Sequence, residues 1–429
     1  MPKSASAQSD KLTDQATLNA TIKVLEKHFN ITADGYLCQT RDLWQILVSA
    51  AARGSTIEAT CRDLKDAPDS NTVRGYLNEQ LTPAQIRSLE QDCNRALANR
   101  WPHWLWSQPL EVAADLHDEC YYGESDDDDP ENWVCRGEKQ NGTTHFYRCG
   151  TLYIIRNGVR LNLAVVFVHP DAELVEVLKR LLKYVFLRGL RVVRLYADKG
   201  FCTIPVLRYV LTQTHLSAII AAPIKGKTGG LRGLCHGRGS YRTEHTFSSQ
   251  PNGELTVPVG IVRAYKQYHD EPKQATWLAY VLIRVEDRLR QVRERYRCRF
   301  GIDTSYRSME QVRARTCSTN PALRFLLMGL ALVLVNVWVA LQWTYLRMRG
   351  SGPRRAARQY FPLDRMARFL TRAVEDIYGV VSLVDPPEVK SVMYCVYLFT
   401  CLPKTNQTDT APRTPRADNA TSARRCDTR

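Results

Sequence analysis

Three carboxylates in this chain stand where they could work together. Asp115 lies at the expected end of a strand in Ala113-Ala114-Asp115-Leu116-His117-Asp118, Asp198 lies in Leu195-Tyr196-Ala197-Asp198-Lys199-Gly200-Phe201, and Asp303 lies in Tyr296-Arg297-Cys298-Arg299-Phe300-Gly301-Ile302-Asp303-Thr304-Ser305-Tyr306-Arg307. Neighbouring strand ends aim their carboxylates at one point, and a helix packed over the same edge can add a third; such a cluster of hard oxygens suits Mg²⁺. Two ions about 4 Å apart activate a water or a 3′-hydroxyl and stabilise the leaving oxygen of an in-line phosphoryl displacement, with no histidine base required. The same residues have plainer readings. A strand-terminal Asp often caps a turn, and Asp303, with Arg299 four residues before it and Arg307 four after, suits a surface ion-pair ladder. Spacing alone leaves both open. Asp118 ranks second to Asp115 because it lies beyond the apolar part of its strand, and His117 reads as a neighbour.

The elements that must position these acids follow from the hydropathy pattern. Strands are expected at 111–116, 146–156 and 159–169, the last two joined by the hairpin turn Asn157-Gly158. A helix at 174–187, a strand at 192–197, a helix at 204–212 and an apolar strand at 217–223 follow. A meander that passes into alternating helix and strand predicts a mixed α/β sheet. Residues 225–285 lose this regularity, with a Gly-rich basic run at 225–242 and strands at 255–265 and 276–285, which reads as a β-rich basic insertion. A helix is expected over 287–309, and Asn320-Pro321 opens another with a cap and a proline in the first turn. Within it, residues 325–343 form 19 positions without a charge, a membrane-span candidate by length. The similarly basic flanks at its two ends favour a helix buried on all sides instead.

Upstream, residues 13–107 read as a helical domain. Helices at 57–64 and 71–81, a turn at 65–69 and Ser70 as N-cap make a helix-turn-helix pattern, which is also ordinary helical filler. If it docks on DNA, Arg62, Lys65 and Arg74 are the contacts. Residues 1–12 and the Thr-, Pro- and Arg-rich stretch 402–429 are expected to be disordered, and 346–401 to be a C-terminal helical region.

These motifs together resemble the DDE transposases of prokaryotic insertion sequences, of the insertion-sequence-four type with its Tyr-x2-Arg-x3-Glu-x6-Lys signature, and most of all their halobacterial ISH-three-like relatives. Tyr296, Arg299 and Asp303 hold the first three signature places, Asp198-x-Gly200-Phe201 matches the second-acid motif, and Asp115 with Tyr121-Tyr122-Gly123 is similar to the first-acid region. The resemblance spans residues 40–345. It implies a ribonuclease H-like catalytic domain split into 108–224 and 286–345 by the insertion at 225–285, preceded by the all-α N-terminal domain. It also implies cleavage and strand transfer at terminal inverted repeats, dependent on two Mg²⁺ ions with Mn²⁺ able to substitute. The implied partners are double-stranded DNA, as inverted repeats and as target, and further copies of the chain on that DNA. Asp115, Asp198 and Asp303 would then ligate metal, Tyr296 and Arg299 would contact DNA near the scissile phosphate, and Arg307, Lys225, Lys227 and Arg74 would bind DNA elsewhere. The chain departs from the signature twice. Asp303 stands where the signature has Glu, and Glu310 where it has Lys; Glu310 is about 10 Å further along a helix, too far to replace Asp303.

Composition sets the limits. The 429 residues carry 59 Lys and Arg against 44 Asp and Glu, a net charge of +15, and 44% are hydrophobic, which excludes a disordered chain and points to a polyanionic partner. By region, residues 1–107 have net charge 0, 108–224 have −2, 225–318 have +9 and 319–429 have +8. The phosphate-contacting surface is therefore expected in the second half. Thirteen cysteines without a Cys-x-x-Cys pair argue against a zinc cluster or disulfide framework and for reduced thiols. No apolar signal segment follows Met1, so a cytoplasmic, nucleoid-associated protein outside the membrane is expected. Gly226-Lys227-Thr228 lacks the first glycine of a phosphate-binding loop, Ala221 standing in its place, and is better read as a basic loop reaching DNA. The acids 126–129 read as a solvated hairpin connection.

Overall fold

A computed structural model describes residues 11–125, 129, 131–155, 159, 161–266, 274–347 and 356–383. Five helices come first. Helix α1 (Asp14–His28) opens on Thr13, whose hydroxyl accepts from the Ala16 amide, and a two-residue hairpin, β1 (Asp34–Gly35) and β2 (Cys38–Gln39), leads into α2 (Thr40–Arg53). Gly54, at φ +59°, ends α2 in the left-handed conformation that glycine tolerates best. Helices α3 (Ile57–Asp63), α4 (Ser70–Gln80) and α5 (Ile86–Ala98) follow. The cap of α4 is Asp69 rather than Ser70, its Oδ1 accepting from the Asn71 amide at 2.8 Å. The turn between α3 and α4 is pinned from far along the chain. Leu64 bridges Val380, the Lys65 amide donates to Gly379 O at 3.2 Å, and the Asp66 amide to Tyr378 O at 2.9 Å.

The sheet strands are β3 (Leu110–Tyr121), β4 (Cys135–Gln140), β5 (Thr143–Ile154), β6 (Asn162–Val168), β7 (Val192–Ala197), β8 (Ser217–Ala222), β9 (Tyr241–Ser249), β10 (Gly253–Lys266) and β11 (Gln274–Ile283). Their order is β4-β5-β3-β7-β8-β11-β10-β9, with β6 paired to β5. The central strands β3, β7 and β8 are parallel and the remaining pairs antiparallel. Helices α6 (Leu174–Phe186) and α7 (Ile204–Gln213) make the crossovers that parallel strands require, and α8 (Gly230–Gly233) is a single turn. After the sheet come α9 (Leu289–Arg297), α10 (Gly301–Gln311), α11 (Pro321–Tyr345) and α12 (Leu363–Tyr378).

This is the mixed α/β sheet expected from the hydropathy pattern, with four differences that have physical causes. Strand β3 runs five residues past the predicted end because its ladder with β5 continues to the pair Tyr121–His145. Strands β4 and β9 are unpredicted because neither carries an apolar run: most of β4 and alternate residues of β9 face solvent. Residues 225–285 do not form a separate body, since β11 pairs with β8 and extends the same sheet outward through β10 and β9. The expected helix over 287–309 is broken by a 3₁₀ turn at Cys298–Phe300. The turn at Asn157-Gly158, most of the acidic run 126–129, and the expected disordered ends, apart from residues 11 and 12, lie outside the described residues.

The boundary expected at residue 107 is likewise no break, and the described residues up to Ser382 cluster as one unit. The reason lies in β6, which is an edge strand among the described residues. Its free backbone groups are met by side chains from two helices. On α5, Asn94 donates to Val165 O at 2.7 Å and accepts from the Val165 amide at 3.0 Å, and Glu90 accepts from the Phe167 amide at 2.7 Å. On α11, Asn336 accepts from the Asn162 amide at 3.0 Å and donates to Asn162 O at 2.8 Å. An edge that would otherwise invite another strand is closed. Helix α11 has the length and hydropathy of a membrane span, yet its apolar stretch is buried within this core. Asn336, the main interruption of polarity in the predicted 325–343 run, is thus part of the clamp on β6.

Candidate active site

Two of the three acids are brought together by strand register. Ala114 of β3 pairs with Ala197 of the parallel strand β7, so the residues that follow, Asp115 within β3 and Asp198 just past the end of β7, stand side by side. Asp198 caps the following 3₁₀ turn, its Oδ1 accepting from the Lys199 amide at 2.6 Å. Asp303 sits in the first turn of α10, close enough for its charge, like that of Asp198, to act on Asp115. Burial is the main force raising the Asp115 carboxyl to about 6; Arg299 opposes it, and Asp198 and Asp303 add to it.

Arg299 stands between these acids. Its Nη1 lies 2.9 Å from Asp115 Oδ2 and its Nη2 3.9 Å from Asp198 Oδ1. The guanidinium packs over Tyr296 at 5.5 Å and Phe300 at 5.4 Å, and the residue is only 6% exposed. Its Nε is buried without a hydrogen-bond partner. The surface ladder that spacing allowed is not formed. Arg299 turns inward to Asp115, Arg307 is exposed, and Asp303 makes no ion pair or hydrogen bond among the described residues.

Tyr296 is buried too, its hydroxyl donating to Ala197 O at 3.3 Å, which ties α9 to the end of β7. Asp118 points to the opposite face from Asp115 and is held by Arg148 through bonds of 2.6 and 2.9 Å, so it is committed away from the acid cluster. Glu310 lies 3.2 Å from His117 Nε2 and 3.0 Å from Arg313 Nη2, seven residues along α10 from Asp303. It faces a cleft of about 760 Å³ lined by His117, Glu119, Tyr122, Arg313 and Arg324 among others. The other sequence-predicted contacts are scattered. Lys225 and Lys227 are exposed on the loop after β8, while Arg74 is bound to its own helix through Asn71 Oδ1 at 2.6 Å and Arg62 through Glu58 at 2.7 Å. Two neighbours of the acids escaped the sequence reading. Lys199 is exposed directly after Asp198, and Phe300 is 50% exposed beside Arg299. Their adjacency to the motif residues was the available signal.

Three carboxylates are a hard-oxygen donor set suited to Mg²⁺ or Mn²⁺. Nevertheless, among the described residues no group of three His, Cys, Asp or Glu side chains is arranged to hold a metal ion.

No protein-family model matches the chain, and no curated protein matches it. Among solved structures, the piggyBac transposase synaptic complex with hairpin DNA aligns at a TM-score of 0.47 and 12% identity, over 84% of this chain and 76% of that one. A likeness that weak leaves the family undecided. None of these comparisons brings out the insertion-sequence-four type or its halobacterial branch.

Proposed function

We propose that this chain is a DDE-type transposase, cutting DNA at the terminal inverted repeats of a mobile element and joining the cut end to target DNA, with Asp115, Asp198 and Asp303 as its acidic triad. The observation that carries this reading is that Asp115 and Asp198, far apart in sequence, stand side by side on adjacent parallel strands with the Arg299 guanidinium between them, and that Asp303, in the first turn of α10, is near enough for its charge to act on Asp115. A parallel centre flanked by an antiparallel meander, with crossover helices, is the kind of sheet a ribonuclease H-like domain uses, which supports the same reading. Among the described residues these acids are not grouped to hold an ion, so metal chemistry there would require their side chains to regroup; an ion so held would activate the attacking oxygen and neutralise charge on the scissile phosphate.

The chain's own residues have separable tasks. Asp115, the more buried acid, forms the floor of the site, and Asp198 forms its rim, with side chains 14% and 37% exposed. Tyr296 fixes α9 against β7 and so sets where Arg299 and α10 lie. Lys225, Lys227, Lys199 and Arg307 are exposed cations that would meet the DNA backbone, and their contribution is electrostatic and independent of sequence. Arg299 reaches DNA only by leaving Asp115. The protein would act in the cytoplasm on nucleoid DNA, as more than one copy.

Two observations favour a second reading, a chain that binds DNA without cutting it: Arg299 lies between Asp115 and Asp198, and Glu310 replaces the signature lysine. A single experiment separates the two. The purified full chain is incubated with Mg²⁺ or Mn²⁺ and a supercoiled plasmid carrying the DNA that flanks its gene. Cutting that is lost in Asp303→Ala and kept in Glu310→Ala supports the transposase reading; the opposite pattern sinks the triad. DNA retained in a gel shift with no cutting under either metal favours the second reading.

A further inference from the structure

We propose that the Gly-rich basic loop at 223–240 is a preformed rim that receives the phosphodiester backbone of duplex DNA beside the acids, and that Arg263 is the positioning residue that gives the rim its shape. The inference rests on the DNA-cutting reading above and names a contact surface for it. Residues 223–240 carry Lys225, Lys227, Arg232 and Arg238 and no Asp or Glu, and all four cations are exposed. Register places them next to the acids. Ala197 of β7 pairs with Ile220 of β8, so Asp198 stands level with Ala221, and the loop leaves β8 just beyond, after Ala222, on the neighbouring strand about 5 Å away. Further across the sheet, Ala221 pairs with Tyr280 and Tyr280 with Gly260, so Arg263 and its cross-strand partner Trp277 lie about 10 Å further out than Asp198. The sheet thus extends past the acids on this side, and the loop spans that extension from β8 to β9.

A run so rich in glycine has little of its own to hold it, and Arg263 supplies the hold. Its Nη1 donates to Arg238 O at 3.2 Å and to Gly237 O at 3.5 Å, and its backbone amide donates to Ser240 Oγ at 3.0 Å. The guanidinium is fixed in turn by Tyr265 and Trp277, whose ring centroids lie 5.6 and 5.9 Å from it. Gly237, at φ +84°, makes the turn that sets two successive carbonyls before one guanidinium. Further back, Leu231 is buried, Arg232 Nη2 donates to Ile224 O at 3.4 Å, and the Tyr241 hydroxyl donates to Leu234 O. Arg263 is therefore engaged with the loop's backbone, while Arg238, whose carbonyl it holds, is exposed. Holding the chain in one path lowers the ordering cost when phosphates bind. The partner follows from the lining: cations without acids attract a polyanion, and with no Phe, Tyr or Trp in the loop they grip the backbone rather than the bases.

Two readouts on the full chain test this: cleavage within the loop by trypsin, which needs no DNA, and the salt dependence of binding to a labelled duplex of arbitrary sequence, followed by fluorescence anisotropy. The variants are Arg263→Gln, Arg263→Lys, the pair Arg232→Ala with Arg238→Ala, and Arg263→Gln added to that pair, each checked by circular dichroism. The proposal expects trypsin to cut the loop about fivefold or more faster in Arg263→Gln and in Arg263→Lys, because an ammonium does not replace the planar fork. It expects duplex affinity to fall about tenfold, and the salt slope by about 2, in Arg263→Gln and in the pair alike, with no further fall when they are combined. An unchanged cleavage rate in Arg263→Gln overturns the anchor. Binding rescued by Arg263→Lys, or a further fall in the combined variant, means that Arg263 meets DNA itself and overturns its positioning role. A slope unchanged in the pair overturns the rim and leaves the transposase reading standing, and this arm decides should Arg263→Gln not fold. A wild type that binds no duplex overturns that reading and the rim with it.

Discussion

Replacing Asn336 by leucine asks whether the most apolar helix of the chain is a core helix clamped to the sheet. In α11, Asn336 accepts from the Asn162 amide at 3.0 Å and donates to Asn162 O at 2.8 Å and to Leu97 O at 3.0 Å. Leucine makes none of these bonds, leaving three backbone groups in the core without this partner. Each buried group left unsatisfied costs about 1–3 kcal/mol, and the added apolar contact returns about 1–2 kcal/mol in total. A net loss of about 1–8 kcal/mol is expected, its middle a large share of the stability of an ordinary domain. Urea denaturation of the full chain, followed by far-ultraviolet circular dichroism, should show a lower midpoint with an unchanged slope. A variant as stable as wild type, or more so, would refute the reasoning, since removing a polar group from a lipid-facing helix is favourable.

Other expectations follow from single sites. A β-carbon at Gly329 would lie 2.4 Å from Cys93 Sγ in the packed interface of α11 with α5, so Gly329→Ala should cost about 1–3 kcal/mol in the same urea assay. For Glu310, burial pushes the carboxyl up, but His117 and Arg313 outweigh it and hold the carboxyl below its ordinary range. A carboxylate lowered on folding contributes stability that is present above the unfolded value and is lost as pH falls through the folded one. Acid titration of Glu310→Gln should therefore lose stability less steeply than wild type below about pH 4.5. If Lys225 and Lys227 touch DNA phosphates, the double variant Lys225→Ala, Lys227→Ala should weaken binding on all sequences alike and reduce the salt slope by about 2. An unchanged slope would place the contacts elsewhere.

The sequence and the structure agree where apolar patterning decides. Strand β7, helix α6 and the buried 25-residue α11 all show a pattern their burial explains. Strands β4 and β9 stay hidden because a strand exposed along much of its length has no apolar alternation to read. The break at Cys298–Phe300 was illegible because neither proline nor a strong breaker precedes it; Gly301 follows it, starting α10. For the acids, the strand-end position of Asp198 was readable, whereas Asp115 lies inside β3, whose polar second half hides its continuation to Tyr121. That they sit side by side depends on the β3–β7 register, a long-range fact. A DNA contact for Arg299 was implied only by the family resemblance, and its spacing from Asp303 suggested a surface ion pair. Its inward turn is set by Asp115 and Asp198, which only the folded chain brings close enough to compete with water for it. The same holds for α5, whose Glu90 and Asn94 look like surface polar residues until β6 is seen to need them.

The central claim is that Asp115, Asp198 and Asp303 act together to cut DNA, and single-turnover nicking by four proteins tests it most directly. Wild type, Asp115→Asn, Asp198→Asn and Asp303→Asn are each checked for native circular dichroism, then assayed with Mn²⁺ on supercoiled plasmid carrying the flanking DNA. The account predicts nicking by wild type that a chelator stops, and a loss of about a hundredfold or more in each variant, with the three losses similar because the acids work as a unit. Nicking that survives in any one of the three folded variants at the wild-type rate would contradict it.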